Sequence, residues 1–114
     1  MEYAILIYER PGSYDGLSDQ EARAISAEYY AIRRDARVVG GGHLSPVDTA
    51  TTVRVEGGET MITDGPFADT KEVFGGYFLL QADDLDVAVE LAGRIPAARM
   101  GGSVEIRSLV EPPV

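Results

Sequence analysis

Apolar residues at the start of the chain predict a strand followed by a helix. The apolar run from Tyr3 to Tyr8 is short and is followed by turn-forming residues, which is typical of a strand buried on both faces. Ser18 and Glu21 have the spacing of a capping box, so we expect a helix to begin near Asp19. Its apolar residues recur at helical spacing, and they are Ala22, Ile25, Tyr29, Ile32 and Ala36.

Three arginines, Arg33, Arg34 and Arg37, fall in the last turns of this helical pattern. Positive charge near the C-terminal end of a helix complements the helix dipole. We therefore interpret the cluster as the end of the first helix, with an anion-binding patch as the alternative.

The middle of the chain predicts a second strand and a hairpin. Val38 to Leu44 is β-prone and contains three consecutive glycines, which permit a bulge or the close approach of another backbone. Thr51 to Val55 and Glu59 to Thr63 flank Gly57-Gly58, a pair typical of a tight hairpin turn. The sequence therefore predicts a hairpin that protrudes from the rest of the fold.

The last part of the chain predicts a long strand, a second helix and a final strand. Val73 to Ala82 has the length and composition of a strand. Asp83 and Asp86 have the spacing of an N-cap and an acid at the third helical position. Leu85, Ala88, Val89, Ala92 and Ile95 form one helical face. Ser103 to Ser108 alternates between polar and apolar residues, as a strand does, and a proline-containing tail follows.

The order of these elements is β-α-β, a hairpin, then β-α-β, all within one domain over residues 1–114. This is the split βαβ pattern (βαββαβ) of a ferredoxin-like α+β fold with an inserted hairpin. We predict an antiparallel sheet in which the four main strands take the order 4-1-3-2, with both helices on one face. In the long strand, Val73, Tyr77 and Leu79 alternate with Phe74, Phe78 and Leu80. Because the helices cover one set only, we predict that the other set packs against a second copy in a homodimer with a shared, sheet-lined cavity.

Composition excludes several classes of function. The 19 acidic and 10 basic residues give a net charge of −9, which disfavours nucleic acid and anionic membrane surfaces as partners. The chain has no cysteine, and His43 is its one histidine, so thiol chemistry and a multi-histidine metal site are excluded within one chain. The sequence contains no apolar run near the ~20 residues of a membrane span. We expect a cytoplasmic protein and assign it no metal and no cofactor.

One segment carries a resemblance to a known family. Residues 64–72 read DGPFADTKE, and Gly75-Gly76-Tyr77 follow shortly after. This segment resembles the signature of the DGPF-type branch of the YCII-related family, and the likeness extends over nearly the whole chain. The resemblance implies a dimeric ferredoxin-like α+β barrel, in members often encoded beside extracytoplasmic-function sigma factors. The biochemical role of the family is largely unassigned.

The predicted topology brings polar residues to one edge of the sheet, where the first two strands end and the long strand begins. We predict His43 and Asp64 as catalytic residues, with the carboxylate orienting the imidazole for acid–base chemistry. The predicted substrate-binding residues are Arg10, Lys71, Glu72, Phe67 and Tyr77. Tyr8 and the Tyr14-Asp15 loop are expected to border this site.

Purely structural roles compete with these assignments. Asp64 also suits a cap on the turn that follows it, and Lys71 suits an ion pair with Glu72 or Asp69. His43 could simply lie at the end of a strand, and Phe67 could anchor the core or a dimer.

Three hypotheses for function follow, and the sequence leaves open whether the protein is an enzyme. The leading one is a small cytoplasmic homodimer whose cavity binds a small polar organic molecule and transforms it by acid–base chemistry. The alternative is a non-enzymatic accessory or sensor protein associated with an extracytoplasmic-function sigma factor, since an acidic surface suits a basic protein face. The third is a structural dimer without a ligand.

Overall fold

The fold contains two helices, a four-stranded sheet and a separate hairpin. The structure, a computed structural model, describes residues 1–111, so residues 112–114 of the predicted tail lie outside it. The sheet is formed by β1 (Glu2–Glu9), β2 (Val38–His43), β5 (Val73–Gln81) and β6 (Ser103–Ser108), and the hairpin by β3 (Thr51–Glu56) and β4 (Glu59–Asp64). The helices are α1 (Asp19–Arg33) and α2 (Leu85–Gly93). Two short 3-10 turns, Val47–Thr49 and Pro96–Arg99, were not predicted.

The four-stranded sheet is antiparallel, with the order β2-β5-β1-β6. Counted among these four strands alone, this is the predicted order 4-1-3-2, and the arrangement is consistent with a ferredoxin-like α+β fold. Glu9 pairs with Val73, and His43 pairs with Gly76. The C-terminal ends of β1 and β2 therefore flank the beginning of β5, as the sequence predicted.

The hydrophobic core lies between one face of this sheet and the helices. Strand β1 places Tyr3, Ile5 and Ile7 on the buried face, and they pack with Leu80 of β5 and Leu91 of α2. Burying an aliphatic side chain of this size contributes ~1.5–3 kcal/mol. This face therefore holds the helices to the sheet.

A β-bulge at Gly75 decides which face of β5 carries Phe74. Ile7 pairs with Gly76 while Tyr8 pairs with Phe74, so Gly75 is an extra residue in β5. Phe74 consequently shares a face with Tyr8, and their ring centroids are 5.5 Å apart. The prediction that Phe74 shares a face with Phe78 is wrong, because an inserted residue shifts the alternation of side chains by one position.

Helix α1 begins as predicted. Ser18 Oγ accepts a hydrogen bond from the Glu21 backbone N–H, and the Glu21 carboxylate accepts one from the Ser18 N–H, both at 3.1 Å. The helix ends at Arg33 with Arg34 as its C-cap, so Ala36 and Arg37 lie beyond it rather than in its last turn.

Helix α2 differs from the prediction in its cap and its buried face. Asp84, rather than Asp83, is the N-cap, and its carboxylate accepts a hydrogen bond from the Val87 N–H at 3.1 Å. Leu85 and Val89 are 53% and 52% exposed. The buried residues are Ala88, Leu91 and Ala92, because contact with the sheet rather than apolar character alone decides which side of the helix is covered.

The hairpin protrudes as predicted, and all of its strand residues except Thr52 are exposed. The Thr52 hydroxyl donates a hydrogen bond to the Gly65 carbonyl at 2.7 Å, which closes the base of the hairpin. Neither helix within residues 1–111 has the length and apolar character needed to cross a membrane.

Candidate functional site

A groove of about 910 Å³ lies between α1 and the part of the sheet formed by β2 and β5. Its apolar lining comes from both sides and includes Ile7, Leu17, Ile25, Val38 and Phe78. Its polar lining includes Glu9, Tyr14, Tyr29, Arg33 and His43. The groove therefore combines apolar walls with a few titratable groups, as ligand sites do.

The groove exists because α1 is anchored near its C-terminal end while the sheet beneath it has few side chains. Ile32 is the buried residue of α1, whereas Ile25, two turns earlier, lines the groove. The strands below contribute glycines at residues 40–42, 75 and 76. Close strand packing requires two of them, since a Cβ at Gly41 would lie 2.6 Å from the Tyr77 carbonyl oxygen and one at Gly76 would lie 2.7 Å from that of Gly42.

His43 is the last residue of β2 and is exposed where it lines the groove. An imidazole ring can accept a proton at one nitrogen and donate one from the other, so His43 can take part in proton transfer there. Tyr77 also lines the groove, and its ring lies against Gly42, where a Cβ would be 3.2 Å from the Tyr77 Cε1 atom. The structure therefore places two of the predicted site residues at one cavity.

Glu9, Tyr14 and Tyr29 form a polar group at the same groove, and sequence reasoning did not assign a functional role to Glu9 or Tyr29. The Tyr14 hydroxyl donates a hydrogen bond to Glu9 Oε1 at 3.1 Å. The Tyr29 hydroxyl is buried and has no hydrogen-bond partner among residues 1–111. One signal in the sequence pointed to Glu9: it follows Ile7 by two residues, so it continues the face of β1 that the helices cover.

The surroundings of the two phenols change their acidity. Partial burial raises the pKa of Tyr14 well above its ordinary value, and the neighbouring Tyr29 phenol and Glu9 carboxylate raise it further. Burial also raises the pKa of Tyr29, with the charge of Glu9 acting in the same direction and Arg99 opposing it. Both phenols are therefore neutral hydrogen-bonding groups at physiological pH.

Arg10, Lys71 and Glu72 line a second cavity of about 410 Å³, together with Gly101. The Arg10 chain lies against Gly101, where a Cβ would be 2.8 Å from Arg10 Cδ. The Ser103 hydroxyl donates a hydrogen bond to Glu72 Oε1 at 2.7 Å. The structure thus divides the predicted cluster between two cavities. That Arg10, Lys71 and Glu72 contact a ligand remains a prediction.

Asp64 and Phe67 lie at neither cavity. Asp64 is the exposed last residue of β4 and pairs with Thr51, and among residues 1–111 it makes no hydrogen bond or ion pair with His43. Phe67 is 76% exposed. The predicted contact between His43 and Asp64 is therefore not formed, because Asp64 ends a hairpin strand outside the main sheet. Across the described part of the chain, no three His, Asp or Glu residues are grouped to hold a metal ion.

Comparisons with known proteins identify relatives in sequence and in fold. The model of the YCII-related domain matches residues 1–112. An uncharacterized protein of Rhizobium meliloti (strain 1021) is 34% identical in a match 116 positions long, with 96% of this chain and 92% of that protein covered. A solved structure of 5-chloro-2-hydroxyhydroquinone dehydrochlorinase from Burkholderia phenoliruptrix AC1100, in complex with 2,5-dihydroxybenzoquinone, superposes with a TM-score of 0.56. It is 18% identical, with 98% of this chain and 96% of that chain covered, so the likeness is one of fold.

Proposed function

The chain belongs to the YCII-related domain family, and we propose that it binds a small polar organic molecule in the groove and transforms it by acid–base chemistry. Its placement in the DGPF-type branch is part of this proposal and rests on residues 64–72. The observation that carries the proposal is the groove itself. Its volume of about 910 Å³ lies within the ~300–1,000 Å³ of typical ligand sites.

In this proposal His43 is the group that exchanges a proton with the bound molecule. It lines the groove at the end of β2 and is exposed, so its imidazole can also exchange protons with solvent. The apolar walls remove water from the rest of the bound molecule, which strengthens polar interactions at its ends. This combination supports proton transfer to or from a small substrate.

The structural neighbour supports the proposal that this fold binds and transforms a small organic molecule. That protein is described as a dehydrochlorinase, and its complex contains 2,5-dihydroxybenzoquinone, a six-membered ring. What we carry over to this chain is the general activity, namely the binding and chemical change of a small organic molecule within this fold.

We also propose that the protein is a cytoplasmic homodimer formed through the sheet face that the helices leave uncovered. Leu6, Tyr8, Phe74 and Leu79 lie on this face, and Phe74 is 38% exposed. A second copy related by a two-fold axis would cover this apolar surface. Light scattering should give twice the chain mass of 12.3 kDa, and a mass equal to one chain at micromolar concentration would contradict the dimer.

A thermal-shift screen against phenols, carboxylic acids and amines tests the ligand-binding proposal. A ligand that binds the native state raises the melting temperature. We expect at least one compound to do so in the wild-type protein, and we expect His43→Ala to lose that shift. Asp64→Asn is the matched control, because Asp64 lies outside the groove, and it should keep the shift.

Two outcomes of the screen would count against the proposal. The first is a library in which no compound shifts the wild-type protein, and the second is a shift that His43→Ala retains in full. The first outcome, combined with tight binding to a sigma factor by the net −9 chain, would favour the accessory-protein hypothesis instead.

A further inference from the structure

We propose that Glu9 recognises the ligand of this groove, and that the ligand is a planar ring with a hydroxyl group that donates a hydrogen bond to Glu9. The inference rests on the proposed function, because it names a ligand class and a second binding residue for the same groove. It depends on how Glu9 is held, on the shape of the groove and on the position of Glu9 relative to His43.

The Glu9 carboxylate is held in one orientation with one oxygen committed. Oε1 accepts the hydrogen bond of the Tyr14 hydroxyl at 3.1 Å. The other side of the carboxylate rests on the bulged residue Gly75, where a Cβ would lie 2.9 Å from Glu9 Cδ and 3.0 Å from Oε2. Tyr14 is therefore a positioning residue, and the absence of a side chain at Gly75 makes room for the carboxylate.

Glu9 is also available to a ligand. Within residues 1–111 it forms no ion pair with a lysine or arginine, so no cation neutralises its charge. It lines the groove, and its carboxylate can accept further hydrogen bonds. A hydrogen bond from a neutral hydroxyl to a carboxylate is stronger than one between two neutral groups. A hydroxyl donor is thus the ligand feature that Glu9 selects.

The shape of the groove favours a flat molecule. The floor along Gly41, Gly75 and Gly76 is backbone alone, and glycine in a strand permits the close approach of a ligand. The opposite wall is one side of α1, which presents Ile25 and Tyr29. A slot between a bare sheet and a helix accepts a ring lying parallel to the sheet.

Glu9 and His43 lie on opposite sides of β5. Glu9 ends β1 and rests on Gly75, while His43 ends β2 and pairs with Gly76. Neighbouring strands are ~4.8 Å apart, so the backbones of β1 and β2 are separated by about 10 Å. The side chains of Glu9 and His43 reach inward from these two strands. The space between them is the size of one ring with a polar substituent at each end.

The test compares hydroquinone with 1,4-dimethoxybenzene, the same ring with both hydroxyl donors replaced by methyl ethers, by ligand-observed NMR titration. We expect the wild-type protein to bind hydroquinone more tightly. Glu9→Gln should weaken hydroquinone binding by about tenfold, because it replaces a charged hydrogen-bond acceptor by a neutral one, and it should leave binding of the ether unchanged. Tyr14→Phe should also weaken the binding of hydroquinone, by a smaller factor.

Further variants separate recognition from a purely structural role. Gly75→Ala keeps the Glu9 carboxylate but displaces it, so this variant should also weaken the binding of hydroquinone and not that of the ether. Gly93→Ala is its control, because a Cβ there meets nothing within 4 Å. Glu59→Gln, on the exposed hairpin, controls for loss of one negative charge.

The outcomes distinguish this inference from the proposed function. Equal hydroquinone affinity in Glu9→Gln and wild type, with binding still dependent on His43, overturns the role of Glu9 alone. An equal loss for both rings in Glu9→Gln assigns Glu9 a structural role and also overturns it. A protein that responds to another compound in the thermal screen but not to hydroquinone overturns the ring assignment. No response to any compound overturns the proposed function together with this inference.

Discussion

Asp35 accepts three hydrogen bonds from Arg37, which lies two residues later in the chain. The donors are the Arg37 backbone N–H at 2.9 Å, Nε at 2.9 Å and Nη2 at 2.7 Å. Arg94, the C-cap of α2, approaches the same carboxylate at 3.8 Å. This carboxylate therefore connects the segment after α1 with the end of α2, and its hydrogen bonds from Arg37 hold the pKa of Asp35 well below the usual range.

Replacing Asp35 should reduce stability in a pH-dependent way. We expect Asp35→Asn to lower the free energy of unfolding by about 1 kcal/mol near neutral pH. Because the pKa in the folded state is lowered, this contribution is complete above the ordinary carboxyl value of ~3.9 and is lost as the pH falls below it. Urea unfolding of both proteins should therefore show a difference that shrinks in acid. Asp69→Asn, in an exposed loop, is the control, and a difference that stays constant in acid would contradict this account.

Gly102 should tolerate no side chain. A Cβ at this position would lie 2.1 Å from the Tyr8 carbonyl oxygen and 3.1 Å from that of Ala97, and both are backbone atoms. Gly102→Ala should therefore destabilise the protein by at least about 2 kcal/mol, because β1 or the preceding turn must move. Gly93→Ala, with open space around its Cβ, should be neutral or stabilising by up to ~1 kcal/mol. Similar losses for both variants in urea unfolding would count against the close approach at Gly102.

The two sides of α2 should respond differently to truncation. Leu91 is fully buried, so Leu91→Ala should cost about 2–5 kcal/mol of unfolding free energy through the lost burial and the cavity left behind. Val89 is 52% exposed, and Val89→Ala should change stability by no more than ~0.5 kcal/mol. Chemical denaturation of the pair reports the orientation of α2. A larger loss for Val89→Ala than for Leu91→Ala would mean that the helix faces the sheet through the stripe that contains Leu85 and Val89.

The stability of the protein at alkaline pH should depend on the burial of the Tyr14 phenol. Partial burial raises the pKa of Tyr14 in the folded state, so the folded protein holds this proton more tightly than the unfolded chain does. The contribution of this proton to the free energy of unfolding is complete below the ordinary phenol pKa of ~10. It is lost as the pH rises above that value. Stability should thus fall less steeply in Tyr14→Phe than in the wild type above about pH 10. Tyr30→Phe, at an exposed position on α1, should keep the wild-type slope, and a steep fall in Tyr14→Phe would refute the assignment.

Features with local signals could be predicted from the sequence. Ser18 and Glu21 do form the capping box, and Gly57 and Gly58 do adopt positive φ angles of 55° and 81° in the hairpin turn. Each of these depends on residues a few positions apart. The cap of α2 shows the limit of such signals, because Asp83 and Asp84 are adjacent acids and only the chain path selects Asp84.

The candidate site could be predicted only in part. The strand order correctly brought His43 to the start of β5, yet Asp64 does not reach it, since β4 belongs to the separate hairpin. Glu9 and Tyr29 were not predicted as groove residues. The alternation of β1 places Glu9 on the face that the helices cover, but no local pattern shows that a groove separates α1 from the sheet there.

By itself, the sequence determined the types of element, their order along the chain and the antiparallel arrangement of the four main strands. These follow from hydrophobic periodicity, caps and turn residues, which act over a few residues, and from connectivity. Only the tertiary structure decided that the predicted polar cluster divides between two cavities and that Glu9 rests on Gly75 beside a groove under α1. The physical reason is that a bulge and a helix that stands away from a sheet are set by packing between residues far apart in sequence, and no local pattern records that packing.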